Sequence, residues 1–444
     1  MSAILHRQTD NVPPRVVQAE GVWMTDADGR RYLDAVSGGA AVTSIGHGNP
    51  RVRDAILQQL DAVAYAHSSF FTSNPAEELA ELLISDAPAG LFRVVYCSGG
   101  SEAVETALKL ARQYWVERGQ PEKTKIIARR QSYHGATLGA LSVGGNPGRR
   151  VLYSPLLFDT ELIAPCYVYR DRKDGESEVA YGLRAARDLE DTILRIGAEN
   201  VAAFIAEPVV GATLGCAPAV DGYLAEIRRI CDRHSVLLIF DEIMCGNGRT
   251  GHIHSCLEDG VAPDLLTMAK GLGGGFQPVG VVLVAGHIYD AIDAGTKRLS
   301  HGLTYMGHPV ACAAALAVQQ VIRDDGLAAQ AGERGQYLRA VLQQRFGRHP
   351  NIGDIRGRGL FLGLELVKDR ENKTPFAPEQ SLHAVIKRAA MGRGLMIYPT
   401  GGTVDGAKGD HILLAPALTV TEAELDEIGN RLSLALEDAL EQIA

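Results

Sequence analysis

The sequence has few cysteines and no metal-binding motif. Its seven cysteines are odd in number and widely spaced, and no two form a Cys-x-x-Cys pair. The 13 histidines include no His-Glu-x-x-His motif and no paired Cys/His spacing. Disulfide frameworks and zinc sites depend on such spacings. We therefore expect reduced thiols, a cytoplasmic location and no metal site.

Long apolar runs and clusters of basic residues are also absent. No apolar run approaches the ~20 residues of a membrane helix, and the N-terminal residues contain no apolar core of signal-peptide length. The 44 Lys and Arg residues are scattered and outnumbered by 53 Asp and Glu, which gives a net charge of −9. Binding to nucleic-acid phosphates requires a clustered basic face. We therefore expect neither a membrane protein nor a nucleic-acid-binding protein.

What remains is typical of a large soluble enzyme. A chain of 444 residues that is 46% apolar and 22% charged can bury a large core and should divide into two or more domains. Predicted strands alternate with predicted helices over residues 93–285. This alternation predicts an α/β protein with a mostly parallel sheet and helices on both faces.

Two residues at the ends of predicted strands stand out. Asp241 closes the apolar run 236–240, and Lys270 follows the apolar run 265–268 and precedes a glycine-rich segment. Buried parallel strands bind ligands at their carboxyl ends, where backbone glycines allow a close approach. The alternative is that Asp241 caps a helix and Lys270 is a surface lysine. Together, the two residues predict an acid and an amine over one ligand site.

This pair matches the needs of one cofactor. Pyridoxal phosphate requires a lysine amine that condenses with its aldehyde, and a carboxylate that keeps its pyridine nitrogen protonated. Asp241 and Lys270 could supply both groups. The sequence therefore predicts pyridoxal phosphate as the cofactor, with both residues catalytic and cofactor-binding.

Residues around this pair carry a family resemblance. The segment 240–251, followed by Pro263-Asp264 and by Ala269 to Gly271, resembles the signature of the class III aminotransferases, also called the ω-aminotransferase group. One departure is Asn247, where a larger apolar residue is more usual, and we expect it to have little consequence.

The resemblance extends over essentially the whole chain and implies a fold. That fold is the aspartate-aminotransferase-like α/β fold (fold type I), with a mostly parallel large domain and a smaller α+β domain. We expect residues 1–50 to join the small domain, residues 51–328 to form the large cofactor-binding domain, and residues 329–444 to complete the small domain.

A predicted anion site lies near the start of the large domain. A strand at 93–97, a glycine turn at 98–101 and a helix from Glu102 would point unpaired backbone N–H groups at a ligand. The alternative is a simple N-cap by Ser101. Because residues 98–111 resemble the family's phosphate loop, we expect Gly100 and Ser101 to bind the cofactor phosphate.

The resemblance assigns further residues to the site. Tyr133 would stack on the pyridine ring, although a tyrosine that only fills the core is the alternative. Glu207, at the end of another strand, would face the substrate as a catalytic residue and can pair with an arginine in the family. The remaining assignments are His134 and Ile243 at the cofactor, and Thr304 at the phosphate of a neighbouring subunit.

These assignments imply an assembly and an activity. Contributions from Phe70 and Thr304 to a partner's pocket imply a homodimer, or a tetramer built from it. The implied activity is a transaminase that moves an amino group from an ω-amino acid, diamine or other amine to a keto acid, pyruvate being the expected acceptor.

Two alternatives on the same fold stay open, an aminomutase and a dialkylglycine-type decarboxylase. A catalytically idle binding protein is disfavoured by the complete set of site residues. A nucleotide-binding loop is disfavoured because no Lys-Ser/Thr follows the glycines after Lys270.

One departure concerns the acceptor. Many amine transaminases of this family carry an arginine three positions before the glycine of a Gly-Asp-His-Ile-like segment, and that arginine pairs with a substrate carboxylate. Here the segment is intact from Gly409, but the arginine position is Gly406 and the nearest cation is Lys408. Lys408 could equally be a solvated turn residue. We expect the carboxylate to bind through Lys408 or through a basic residue of another loop.

Overall fold

A computed structural model describes residues 2–9 and 11–443. The strands are β1 (Val16–Glu20), β2 (Trp23–Asp26), β3 (Arg31–Asp34), β4 (Leu91–Cys97), β5 (Lys125–Arg129), β6 (Glu161–Ile163), β7 (Val201–Ala206), β8 (Val209–Val210), β9 (Ala217–Pro218), β10 (Leu237–Asp241), β11 (Leu265–Met268), β12 (Gly280–Ala285), β13 (Ile352–Arg358), β14 (Phe361–Leu366), β15 (Leu395–Met396), β16 (Tyr398–Gly401) and β17 (Asp410–Leu414). The helices are α1 (Pro50–Ala62), α2 (Asn74–Ser85), α3 (Gly100–Glu117), α4 (Leu138–Val143), α5 (Pro147–Arg150), α6 (Val168–Asp171), α7 (Glu178–Ile196), α8 (Tyr223–Arg233), α9 (Gly286–Ala294), α10 (Pro309–Asp324), α11 (Leu327–Phe346), α12 (Leu382–Gly392) and α13 (Glu422–Ile443).

The central sheet has seven strands in the order β4-β12-β11-β10-β7-β5-β6. β12 is antiparallel to both its neighbours, and the pairs from β11 to β6 are parallel. Phe204 and Phe240 pack into the core on one face, whereas Ile205 and Ile239 pack into the core on the other. Since both faces are covered, the strands are continuous apolar runs. The predicted mostly parallel α/β sheet is confirmed.

The remaining strands form smaller sheets. The hairpin β2–β3 has β1 on one side, and β3 pairs in parallel with β15 on the other. A second antiparallel sheet has the order β13-β14-β17-β16. Val22 and Leu33 share one buried core with Leu395 and with apolar residues of α10 to α13. The two ends of the chain therefore build one core beside the central sheet.

One predicted element is different in the structure. The segment 355–365 reads in sequence as the beginning of a single strand, but it belongs to the hairpin β13–β14, in which Arg358 pairs with Phe361. Gly359 turns the chain with φ +52°, and a Cβ atom there would come within 2.6 Å of the Thr250 backbone. Only glycine suits a left-handed turn this close to another segment.

Two predicted absences can be compared with the described residues. Within residues 2–9 and 11–443, no helix has both the length and the apolar character needed to cross a membrane. The same residues contain no group of three or more His, Cys, Asp or Glu side chains that could hold a metal ion. All seven cysteines are free and buried.

Candidate active site

A cavity of about 260 Å³ opens at the carboxyl ends of the central strands. β10 and β11 are parallel neighbours, so Asp241 and Lys270 leave the sheet side by side. The cavity is lined by Val42, Ser98, Gly99, Gly100, Ser101, Tyr133, His134, Gly135, Glu207, Asp241, Ile243, Met244, Ala269, Lys270, Gln277, Pro278 and Val279.

Lys270 is held in a strained backbone conformation. Its φ is +47°, a left-handed value that non-glycine residues rarely adopt and that costs of order 1–3 kcal/mol. The turn is fixed from outside by Asn247, whose Nδ2 donates to the Ala269 carbonyl at 3.3 Å, and by Ser44, whose Oγ donates to the Gly271 carbonyl at 2.9 Å. The strain therefore persists because neighbouring side chains hold the carbonyls of the residues on either side of the lysine.

The same position changes the acidity of the lysine. Burial lowers the pKa of Lys270 to about 8, against the opposing attraction of Asp241 and Glu207. Desolvation disfavours the ammonium form, so the neutral amine is accessible near neutral pH. A neutral amine is the form that attacks a carbonyl and accepts a proton.

Three contacts fix the carboxylate of Asp241. Its Oδ2 lies 2.8 Å from His134 Nδ1, and its Oδ1 accepts from Ile243 N at 3.1 Å and from Thr267 Oγ1 at 3.3 Å. All these side chains are buried. No helix begins at Asp241, so the alternative of a helix cap is wrong. The acid is held in one orientation at the cavity wall.

The first turn of α3 forms the opposite end of the cavity. The N-cap residue is Gly99 and not Ser101, whose Oγ instead accepts from Ala136 N at 3.0 Å. A Cβ atom at Gly100 would come within 2.9 Å of Ile243 Cδ1, so the backbone there packs directly against a residue of the Asp241 turn. Free first-turn N–H groups and the helix dipole favour an anion at this end.

Tyr133 and Glu207 complete the wall. The Glu207 carboxylate accepts from Tyr133 N at 3.1 Å and from Gly211 N at 3.0 Å, and no arginine side chain in the described residues forms a salt bridge with it. Burial raises the pKa of Glu207. Arg129 donates to the Glu207 carbonyl oxygen. Glu207 is thus fixed by backbone groups and not by the arginine partner seen in the family.

The cavity brings together most of the predicted site residues. Gly100, Ser101, Tyr133, His134, Glu207, Asp241, Ile243 and Lys270 all line it. Thr304 does not, because it is exposed and its carbonyl accepts from Tyr65 Oη at 2.8 Å. The proposed role of Thr304 in a neighbouring subunit therefore stays a prediction.

Sequence reasoning missed part of the wall. Val42 and Met244 line the cavity, as does the segment 277–279. A signal existed for Gln277 and Pro278, because they lie two and three positions after the last of the glycines that follow Lys270. Val42 had none, since it reaches the cavity from the N-terminal part of the chain.

The donor set fits pyridoxal phosphate. An amine on Lys270, an oriented acid on Asp241, an aromatic ring on Tyr133 and a helix N-terminus face one space. These groups suit, in turn, the aldehyde, the pyridine nitrogen, the ring face and the phosphate of that cofactor.

Comparisons with known proteins identify the family of this chain. Residues 4–436 match the family model for aminotransferase class-III. An uncharacterized aminotransferase of Schizosaccharomyces pombe is 45% identical over 97% of this chain and 94% of its own length. Among solved structures, a thermostable (S)-enantioselective omega-transaminase from Thermomicrobium roseum has a TM-score of 0.92 and 37% identity, covering 98% of this chain and 96% of that one. A PMP-bound aminotransferase from Vibrio fluvialis has a TM-score of 0.90 and 33% identity, covering 97% and 94% of the two chains.

The match to the family model extends over nearly the whole chain, both solved relatives share the fold, and the Vibrio fluvialis enzyme was solved with PMP, a form of the same cofactor. Together with the geometry at Lys270 and Asp241, these similarities decide the family and the cofactor. The chain belongs to the class III aminotransferases, has their type I fold and uses pyridoxal phosphate.

Proposed function

We propose that this protein is a transaminase that moves an amino group from an ω-amino acid, a diamine or another amine to a keto acid, with pyruvate as the expected acceptor. The observation that carries the proposal is the Lys270 amine beside the oriented Asp241 carboxylate in one cavity. The fold neighbours that are omega-transaminases support it.

Each residue of the cavity has a role in this reaction. When bound, pyridoxal phosphate supplies an electron sink that stores the electron pair left when the donor carbon loses its proton. Asp241 would hold a proton at the pyridine nitrogen, and His134 keeps the carboxylate in position to do so. Lys270 Nζ, with its pKa lowered to about 8, would take the proton from the donor carbon and return it.

The other residues position and shield the reactants. The first turn of α3 would bind the phosphate through Gly100 and Ser101, and Tyr133 would restrain the pyridine ring by stacking. Ile243, packed against Gly100, closes the floor between these two ends. Glu207 would contact the substrate side of the site.

A screen of amine donors with pyruvate and 2-oxoglutarate tests the proposal. We expect stoichiometric formation of alanine, or glutamate, together with the ketone or aldehyde of the donor. Release of CO₂ from a dialkyl amino acid would indicate the decarboxylase alternative. A positional isomer of the donor with no new amino acid would indicate the aminomutase alternative.

We also propose that the protein is a homodimer, or a tetramer built from it, with Phe70 and Thr304 near the partner's site. Phe70 and Phe71 are 79% and 70% exposed, and such neighbouring exposed aromatic rings are typical of interfaces. Light scattering at defined concentrations tests this, and a monomer at micromolar concentration would contradict it.

A further inference from the structure

The position of the family arginine is closed in this protein. Gly406 has φ +91°, and a Cβ atom there would come within 2.7 Å of Pro147 Cδ. Gly148 packs on the same turn, because its own Cβ position lies 3.1 Å from the Gly406 carbonyl oxygen. A side chain at position 406 would therefore require both the turn and α5 to move.

Lys408 does not replace the missing arginine. Its side chain is exposed and makes no hydrogen bond, salt bridge or aromatic contact with a residue of the cavity wall, and its backbone N–H donates to Asp405 Oδ1 at 2.8 Å. The geometry is that of a solvated turn lysine, which was the alternative interpretation of the sequence.

The helix that closes position 406 carries another cation. The Arg149 Cζ atom lies 4.6 Å from the ring centroid of Tyr133, a residue of the cavity wall. In the described part of the chain, the Arg149 guanidinium has no hydrogen bond or salt bridge, and its one assigned polar contact is the backbone N–H donated to Asn146. The adjacent Arg150 differs, because its Nη1 donates to the Ser142 and Gly144 carbonyls at 2.6 Å each.

Buried hydrogen bonds connect α5 to both sides of the site. Asn146 Nδ2 donates to Gln131 Oε1 at 2.9 Å, and Gln131 Nε2 donates to the Gly402 carbonyl at 2.7 Å. Gln131 lies two residues before Tyr133, and Gly402 begins the turn that contains Gly406. Arg149 therefore lies on a segment that these hydrogen bonds hold in place. Its guanidinium N–H groups have no partner within the described residues, and the ring that it contacts, Tyr133, belongs to the cavity wall.

We propose that Arg149 binds the carboxylate of the keto-acid acceptor from α5, in place of an arginine at position 406. The inference rests on the proposed transaminase function and adds the residue that selects the acceptor. Near the cavity, Asp241 and Glu207 are acids, so an incoming carboxylate needs a cation for charge balance. A guanidinium stacked on an aromatic ring still offers its edge N–H groups to a carboxylate in a two-pronged contact. Burial is the main cause of the lowered pKa of Lys270, and the positive charge of Arg149 contributes in the same direction.

The first experiment compares charged and uncharged acceptors. Arg149→Gln should raise the KM for pyruvate roughly ten- to a hundredfold, because the charge-assisted contact with the carboxylate is lost. The KM for propanal, which has no carboxylate, should stay within about twofold of the wild-type value. Arg149→Lys should fall between the wild type and Arg149→Gln, because it keeps the charge and loses the two-pronged contact. Lys408→Ala is the matched control, a nearby cation with no contact to the cavity wall, and should change neither KM.

The second experiment measures binding without turnover. The Kd of the holoenzyme for propionate, followed by calorimetry, should rise by the same factor in Arg149→Gln, whereas the Kd for propionamide should not change. Equal loss for both ligands, or for pyruvate and propanal alike, would show that Arg149 only supports Tyr133 and would overturn the inference. An effect of Lys408→Ala equal to that of Arg149→Gln would also overturn it. If the wild type transaminates and Arg149→Gln has the same kinetics, the role of Arg149 is refuted and the proposed function stands. If the wild type transaminates no donor, the proposed function itself is refuted.

Discussion

His134 Nδ1 lies 2.8 Å from Asp241 Oδ2, and both side chains are buried beside the cavity. A carboxylate only accepts hydrogen bonds, so Nδ1 must carry the hydrogen in this pair. His134 Nε2 has no hydrogen-bond partner within the described residues. The imidazole is therefore committed to holding one carboxylate oxygen while the other is fixed by Ile243 and Thr267.

His134→Leu should reduce kcat by roughly ten- to a hundredfold, because a charge-assisted hydrogen bond to a buried carboxylate is worth ~1.5–3 kcal/mol. His134→Gln can still donate to Asp241 and should recover part of the rate. The measurement is steady-state turnover with pyruvate, with cofactor content checked by absorbance. A leucine variant with wild-type kcat would show that Asp241 needs no such support.

Asp241→Asn should fold and bind cofactor but transaminate at least about a hundredfold more slowly, since charge stabilisation of this kind is worth ~3 kcal/mol or more. Removing the negative charge leaves the pyridine nitrogen without its counter-charge. Single-turnover kinetics with an amine donor test the step directly. Retention of most of the wild-type rate would contradict the role given to Asp241.

Lys270→Ala should lose turnover by several orders of magnitude and yet retain cofactor, because the phosphate end of the cavity is built from other residues. Borohydride reduction of the wild-type holoenzyme followed by peptide mapping should place the cofactor on Lys270. Label on any other lysine would refute the assignment.

The acidity of Lys270 can be read without catalysis. Its pKa is lowered to about 8 by burial, so in the cofactor-free protein the neutral amine forms as the pH rises through 8. Labelling by an amine-reactive reagent should reach half its maximal rate near that pH. Lys270→Ala, which lacks this amine, is the control that identifies the labelling of other lysines. A midpoint for Lys270 near the ordinary lysine value of ~10.4 would contradict the effect of burial.

Asn247→Leu restores the kind of residue more usual in the family and should nevertheless destabilise this protein. The substitution removes the buried donor to the Ala269 carbonyl and places a bulky residue at φ +56°. The expected loss is ~1–3 kcal/mol in the free energy of unfolding. Urea denaturation of the cofactor-free protein measures it, with the exposed substitution Lys408→Ala as the control. No change in the unfolding midpoint would show that the remaining contacts suffice to fix the turn, namely Ser44 and Gln319, whose Nε2 donates to the Leu272 carbonyl at 3.2 Å.

The sequence predicts the strand ends well. An apolar run indicates a buried strand, and the charged residue at which the run stops marks the end of that strand. Asp241, Lys270 and Glu207 all lie in the wall of one cavity for this reason. The structural role of Asn247 was not anticipated, because a hydrogen bond to a distant carbonyl leaves no periodic trace. Arg149 was hidden in the same way, since its position depends on how α5 packs against the turn at Gly406.

Domain boundaries are harder to predict from the sequence than the residues of the cavity wall. The predicted domain boundaries at residues 50 and 328 stay a prediction. One buried core contains residues from both sides of each boundary, so the core alone does not separate the domains. Val52 and Val318 belong to the same cluster as Leu33 and Leu395. Hydrophobic patterning shows that a side chain is buried, but not which core receives it.

The parallel pairing of β3 with β15 sets an order of assembly on the ribosome. Leu33 pairs with Leu395, so the first hairpin emerges from the exit tunnel long before the strand that completes its sheet. All seven strands of the central sheet lie between these two residues in sequence. We expect proteases to cut nascent chains stalled before residue 395 within the hairpin 23–34 while the central strands are already protected. The N-terminal hairpin is thus synthesised first, but its sheet is completed only after the central sheet has formed.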